Sequence, residues 1–294
     1  MKKTVYGLVI IISTFWGLSF LATRILINYL EPYQIQAARW LVASIVFLLL
    51  MISGKLSINY KKPGFKYVLL LGVLEPCMYM SFETYGIAMT SASSGAIFVA
   101  TIPSAVLLLN FFLFKKKLKI KGVLGILIAF SGVVICTVYK PEFSLDRGSL
   151  GYVVLLCAIF SGAMYSIVSS RLADRFKPLE LTAVMAFMGT IYFGIMNFVL
   201  GYGMNTYTVY FTDRKLLFCI VFLGVCCSVI CYFAFNRILR LVDPATGNNL
   251  STSMTTIVGV LAGIIFVGDN WGIYTIIGLV MTLIGVILSS RQII

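Results

Sequence analysis

The chain has 294 residues, of which 60% are hydrophobic and only 11% charged. A soluble domain carries about 25% charged residues, so water cannot be the main solvent of this chain. It lacks histidine, which excludes histidine-based metal sites and Ser-His triads, and its net charge of +13 comes from basic residues flanking apolar runs, a membrane-orienting pattern rather than a nucleic-acid footprint.

Ten apolar segments follow one another at 5–27, 34–53, 67–89, 93–114, 120–139, 149–172, 179–201, 215–241, 244–267 and 271–290. Each is near the length that crosses a ~30 Å hydrocarbon core at ~1.5 Å per residue. The first, "MKKTVYGLVIIISTFWGLSF", is too long for a cleaved leader and reads as a span. The tightest breaks are "TSAS" (90–93) and "VDPA" (242–245), both polar.

The basic residues orient these segments. With both termini cytoplasmic, all of the 23 lysines and arginines fall on the inner side except Lys140, Arg147, Arg214, Lys215, Arg24 and Arg39. The last two are assigned to the outer ends of their helices. A wrong span count would scramble this alternation. The predicted fold is therefore all-α and integral to the membrane, with ten spans and both termini inside.

The chain also repeats itself. At one common offset Gly125 matches Gly278, Gly132 matches Gly285, Tyr79 matches Tyr232 and Phe82 matches Phe235. Residues 1–141 and 142–294 are thus predicted to be two five-helix halves. Five is odd, so the second half must enter the membrane inverted, which places a substrate site near the midplane between halves.

The first segment carries "WG-x-S-F" (Trp16, Gly17, Ser19, Phe20), the second opens on the arginine of "AARWLVA", "YGIAMTSASSGAI" follows, and Pro103 stands in the fourth. With glycine-spaced fifth and tenth segments, this order resembles the drug/metabolite transporter superfamily, specifically its ten-span EamA-type transporters. Lys116 stands where that family often has an acid, and "STSMTTI" where it often has a proline in helix nine. The resemblance implies a helical carrier with a central cavity. Such carriers move small organic solutes, commonly outward, by alternating access in a bacterial inner membrane, as monomers or homodimers and without a cofactor.

"VLEPCMYMSFETYG" (73–86) puts two acids and a proline into one span. Glu75, Tyr79, Phe82 and Glu83 share a helical stripe, and a lipid-facing charge costs about 2.5–3.5 kcal/mol, so the stripe should face a cavity or the other half. Glu75 lies about 12 Å along its helix and Glu83 about 24 Å. Glu83 therefore has Arg24 and Arg39 as candidate partners in a gate or ion pair, and is equally a candidate ligand. Glu75 has none, and must hold a proton, sit in water or meet a cation. It is the candidate for proton coupling or recognition of a substrate amine, against a structural carboxyl bonded to a neighbouring helix.

Pro76 and Pro103 are candidate kinks that leave the Gly72 and Val99 carbonyls free of helical partners. Trp16, Phe98, Tyr165, Tyr79 and Tyr232 are candidates for an aromatic box. Ser228, opposite Glu75 by the repeat, completes an acid–hydroxyl site, and Asn110, Asn236, Asn248 and Asn249 are further polar candidates. All seven cysteines lie in apolar runs, as buried hydrophobes do. The expected partners are a small molecule, protons and the bilayer, with no nucleic acid and no metal. The rival readings are a lipid scramblase and an intramembrane enzyme; the latter lacks a deep aspartate pair or any histidine.

Overall fold

The computed structural model describes residues 2–115, 117–139 and 147–290, and among these there is no strand. Lys116 and the expected boundary at 141–142 lie outside the described residues.

Helices occupy every expected segment. They are α1 Lys2–Ile27, α2 Pro32–Ile52, α3 Phe65–Met89, α4 Ala92–Val99 with Ile102–Phe114, and α5 Ile120–Val138. Then come α6 Arg147–Leu172, α7 Pro178–Val199, α8 Arg214–Leu239, α9 Pro244–Val267 and α10 Ile273–Ser290. Among the described residues eight are long and apolar enough to cross a membrane. The bent α4 pair makes a ninth if it is one span, and α10 is a shorter apolar helix.

Helix starts follow local chemistry. Pro32, Pro178 and Pro244 open α2, α7 and α9, where a missing N–H costs nothing. Asp243 accepts from the Thr246 amide at 3.0 Å and caps α9. α4 is capped by Ser91, which accepts from the Ser94 amide. Its first turn is also held from the other half: Asp269 Oδ2 accepts from the Ser93 amide at 2.8 Å and the Ser93 hydroxyl at 2.7 Å. Asp269→Ala should lower stability by about 1–2 kcal/mol, as expected for charge-assisted bonds at a helix start. Asp269→Asn should lose less. Thermal unfolding in detergent reads the difference, and an alanine variant that melts like the parent would remove Asp269 from the account.

Proline breaks two helices, at places slightly different from those expected. In α3 the turn around 73–78 widens, Glu75 leaves helical geometry (φ −147°, ψ 107°), and the Leu74 carbonyl accepts from the Ser161 hydroxyl at 2.7 Å. At the break expected from Pro76, the Leu74 carbonyl is thus satisfied from α6. In α4 the bend of 42° falls at 100–101, so Pro103 sits in the first turn of the second piece rather than mid-helix. α8 winds as a wide π-type helix over Phe222–Cys231 without any proline.

Packing between helices is close where small residues meet. α5 and α10 run antiparallel: Gly125 opposes Gly285, and Gly132 opposes Gly278, with no room for a Cβ at any of the four. Gly17 of α1 packs on Val258 of α9, and Gly259 of α9 packs on Phe20 and Ala96. Gly189 of α7 admits Pro76 and Trp40, so the α3 break is held by packing from α2 and α7.

Candidate functional site

A cavity at the centre draws walls from α1, α2, α3, α4, α6, α8 and α9. α5 and α10 contribute nothing to it.

Its charged residues are Arg39, Glu75 and Glu83. Glu75 and Arg39 are each 2% exposed, and Glu83 is 7% exposed. Each carboxylate is held by a tyrosine hydroxyl. Tyr232 of α8 donates to Glu75 Oε1, and Tyr79 donates to Glu83 Oε1 at 2.9 Å. Those two tyrosines are the repeat-matched pair, yet both acids they hold belong to α3.

Arg39 is where the structure departs most from expectation. It is the eighth residue of α2, about 11 Å inside the helix start at ~1.5 Å per residue. It is buried at the cavity wall rather than placed at an outer helix end. Its Nε donates to Ser228 Oγ at 2.7 Å, so Ser228 serves the arginine and does not line the cavity beside Glu75. Among the described residues the Nη groups make no hydrogen bond, and Lys62–Glu180 at 3.3 Å is the one ion pair. Glu83 therefore pairs with neither arginine. Arg24 instead donates to the Ile87 carbonyl at 3.3 Å. Arg39 still lies within electrostatic range of both acids, so Glu75 has a buried cation near it where none was expected.

The aromatic candidates divide. Trp16, Tyr79, Tyr165 and Tyr232 line the cavity. Trp16 meets the Tyr232 ring edge-on at 5.2 Å and Phe235 at 5.3 Å, while its indole N–H donates to the Cys227 carbonyl at 3.1 Å. Tyr165 stacks on Phe235 at 6.3 Å. Phe98 and Phe82 are not in the wall; Phe98 stacks on Tyr152 at 5.8 Å. The repeat partner of Phe82, Phe235, is in the wall.

Sequence reasoning named Asn248 but missed the rest of a polar row on α9. Asn248, Thr252 and Thr255 line the cavity at helical spacing, and their side chains are tied back to the carbonyls of Pro244, Asn248 and Ser251. Of the other asparagines, Asn236 sits behind the wall, and neither Asn110 nor Asn249 lines it. Asn236 Oδ1 accepts from Tyr165 at 2.8 Å and Ser169 at 2.6 Å, and its Nδ2 donates to Thr182 at 3.0 Å.

A chamber with one guanidinium, two carboxylates and an aromatic lining suits a small solute that carries charge and apolar surface together. Known proteins agree on the class. The EamA-like transporter family matches residues 3–138 and 149–291. The uncharacterized transporter YcxC of Bacillus subtilis (strain 168) is 27% identical over 97% of this chain and 92% of its own. An uncharacterized transporter of Archaeoglobus fulgidus is 25% identical over 95% of this chain and 96% of its own. A solved crystal structure with 16% identity covers 98% of this chain and 96% of its own at a TM-score of 0.69, which shows a shared fold. With two family matches that together cover most of it and helices apolar enough to cross a bilayer repeatedly, the chain belongs to the EamA-like transporter family and is a multi-pass membrane protein.

Proposed function

We propose that this protein is a secondary carrier that exports a small organic solute, an amino acid or related amine, across the bacterial inner membrane by alternating access. In this reading it has ten spans as two inverted halves, 1–141 and 142–294, with both termini in the cytoplasm. The cross-pairing of Gly125 with Gly285 and of Gly132 with Gly278 supports the inversion, since each repeat position meets the other position of its partner.

The observation that carries the substrate class is the meeting of Arg39 with Glu75 in one cavity walled by both halves. A guanidinium recognises a carboxylate through paired N–H donors, and a carboxylate recognises an ammonium. Sub-site roles follow. Arg39 takes the solute's carboxylate, Glu75 takes its ammonium or exchanges it for a proton, and Trp16, Tyr165 and Phe235 take its side chain.

The test is a thermal-shift screen of purified protein with amino acids, simple amines and simple carboxylates, followed by counterflow in proteoliposomes. Binding to the folded state stabilises it by about 2.7 kcal/mol when the ligand is at 100 times its Kd. Solutes bearing both charges should shift melting more than either singly charged class. A screen in which neither amino acids nor amines shift melting, with no counterflow, would refute this reading.

A further inference from the structure

The two cavity carboxylates have different repeat partners. Glu75 corresponds to Ser228 and Glu83 to Asn236, while their tyrosines, Tyr79 and Tyr232, correspond to each other. One half therefore carries Tyr-x-x-x-Glu where the other carries Tyr-x-x-x-Asn. Asn236 has its amide committed to Tyr165, Ser169 and Thr182, and it does not titrate. Glu83 is bonded to Tyr79 and is open to the cavity. Acid side chains thus run from the middle of the cavity toward one end only, the end of α3 that adjoins the start of α4.

That end is the outer one in the topology proposed above. Glu83 stands one regular turn beyond Tyr79, on the far side of the break at Glu75. A solute of amino-acid size anchored on Arg39 and Glu75 does not need it. The groups facing these acids are Arg39 from α2, Cys77 and Tyr79 within α3, Tyr165 from α6, and Cys227 and Tyr232 from α8. Arg24 of α1 binds the Ile87 carbonyl one turn past Glu83. Among the described residues Arg39 is the one cation in the wall, so it can neutralise one carboxylate charge, and the second must carry a proton or a solute cation.

We propose that Glu83 is a proton relay rather than a solute ligand: it accepts protons from the outer medium and passes them to Glu75, where they displace the solute ammonium. The inference rests on the carrier reading. The Glu83 carboxylate takes a proton from outside water, and its O–H bond then breaks as cavity water carries that proton to the Glu75 carboxylate. Glu83 is regenerated, Glu75 is neutral, and the solute leaves with its own charge. Once Glu75 gives that proton to cytoplasmic water in the inward-facing state, one proton has moved inward for each solute moved outward, and no bond other than O–H changes. Asn236 at the related position explains why the path is one-sided.

The experiment uses reconstituted full-length protein and a radiolabelled mixture of the common amino acids. Glu83→Gln should lower flux driven by an imposed pH gradient about tenfold or more, the scale on which positioned proton-transfer groups act. Solute–solute counterflow without a gradient should stay within about twofold of the parent, because Glu75 and Arg39 are intact. Equal loss of both fluxes would make Glu83 a ligand, and retention of both would make it structural; either overturns the proposal. A second measurement needs no solute. Carbodiimide labels protonated carboxyls in membranes, so labelling of Glu83, read by peptide mass spectrometry, should follow outer pH in the parent and in Glu75→Gln. Glu83 labelling that ignores outer pH would overturn the relay even if the carrier reading stands.

Discussion

Replacing Gly132 with leucine should cost about 3 kcal/mol or prevent folding, the top of the range for overpacking a core. A Cβ there would sit 2.5 Å from the Gly278 carbonyl oxygen and 2.6 Å from the Thr282 nitrogen. These are backbone atoms of α10, and a rotamer change cannot move them. Relief requires separating α5 from α10, which would also strain the bond from the Thr282 hydroxyl to the Ala129 carbonyl at 3.3 Å. Neither helix lines the cavity, so the loss should appear as a lower melting temperature and less monodisperse protein rather than as weaker solute binding. Gly7→Leu is the control, because a Cβ at Gly7 meets nothing within 4 Å. A Gly132→Leu protein that melts with the parent would show that the α5–α10 seam is looser than its glycines imply.

That seam was legible in advance because a glycine spacing repeated at one offset is a local pattern. The same holds for the helices themselves, whose apolar length and flanking charge need no tertiary information. The α3 break was legible through Pro76, but the wide turn in α8 was not, since Phe222–Cys231 contains no residue that forces it. Arg39 was misplaced for a different reason. Its burial depends on Ser228, far along the chain, and a basic residue near a helix start looks like an interfacial one until that partner is known. Phe82 and Phe235 match in the repeat but differ in exposure to the cavity, because the halves surround it unequally. The α9 row did have a signal. Asn248, Thr252 and Thr255 recur at helical spacing inside "NNLSTSMTTI", a polar face that lipid would not solvate.

Arg39→Gln should destabilise the protein by about 3 kcal/mol at neutral pH and much less in acid. Removing one partner of a buried charge set costs about 3–5 kcal/mol, because the remaining charges lose their compensation. Here the charge left behind is that of whichever of Glu75 and Glu83 is ionised, both being buried at the same cavity. The sign with pH follows from their chemistry. Protonating a carboxylate removes the charge that glutamine cannot balance, so the gap between variant and parent should narrow as pH falls. Arg39→Gln combined with Glu83→Gln should recover part of the loss at neutral pH, since only one buried acid then remains. Arg39→Lys separates charge from shape. It keeps a cation and should melt closer to the parent, yet it loses the fork that binds a carboxylate with two donors. Its affinity for amino acids should fall about tenfold or more, a loss of one charge-assisted hydrogen bond. Thermal melting across pH and isothermal titration with an amino acid found in the screen measure the two effects. An Arg39→Gln protein as stable as the parent at every pH would mean that the cavity carboxylates are never charged together with Arg39. The substrate class proposed from that set of charges would then fall with it.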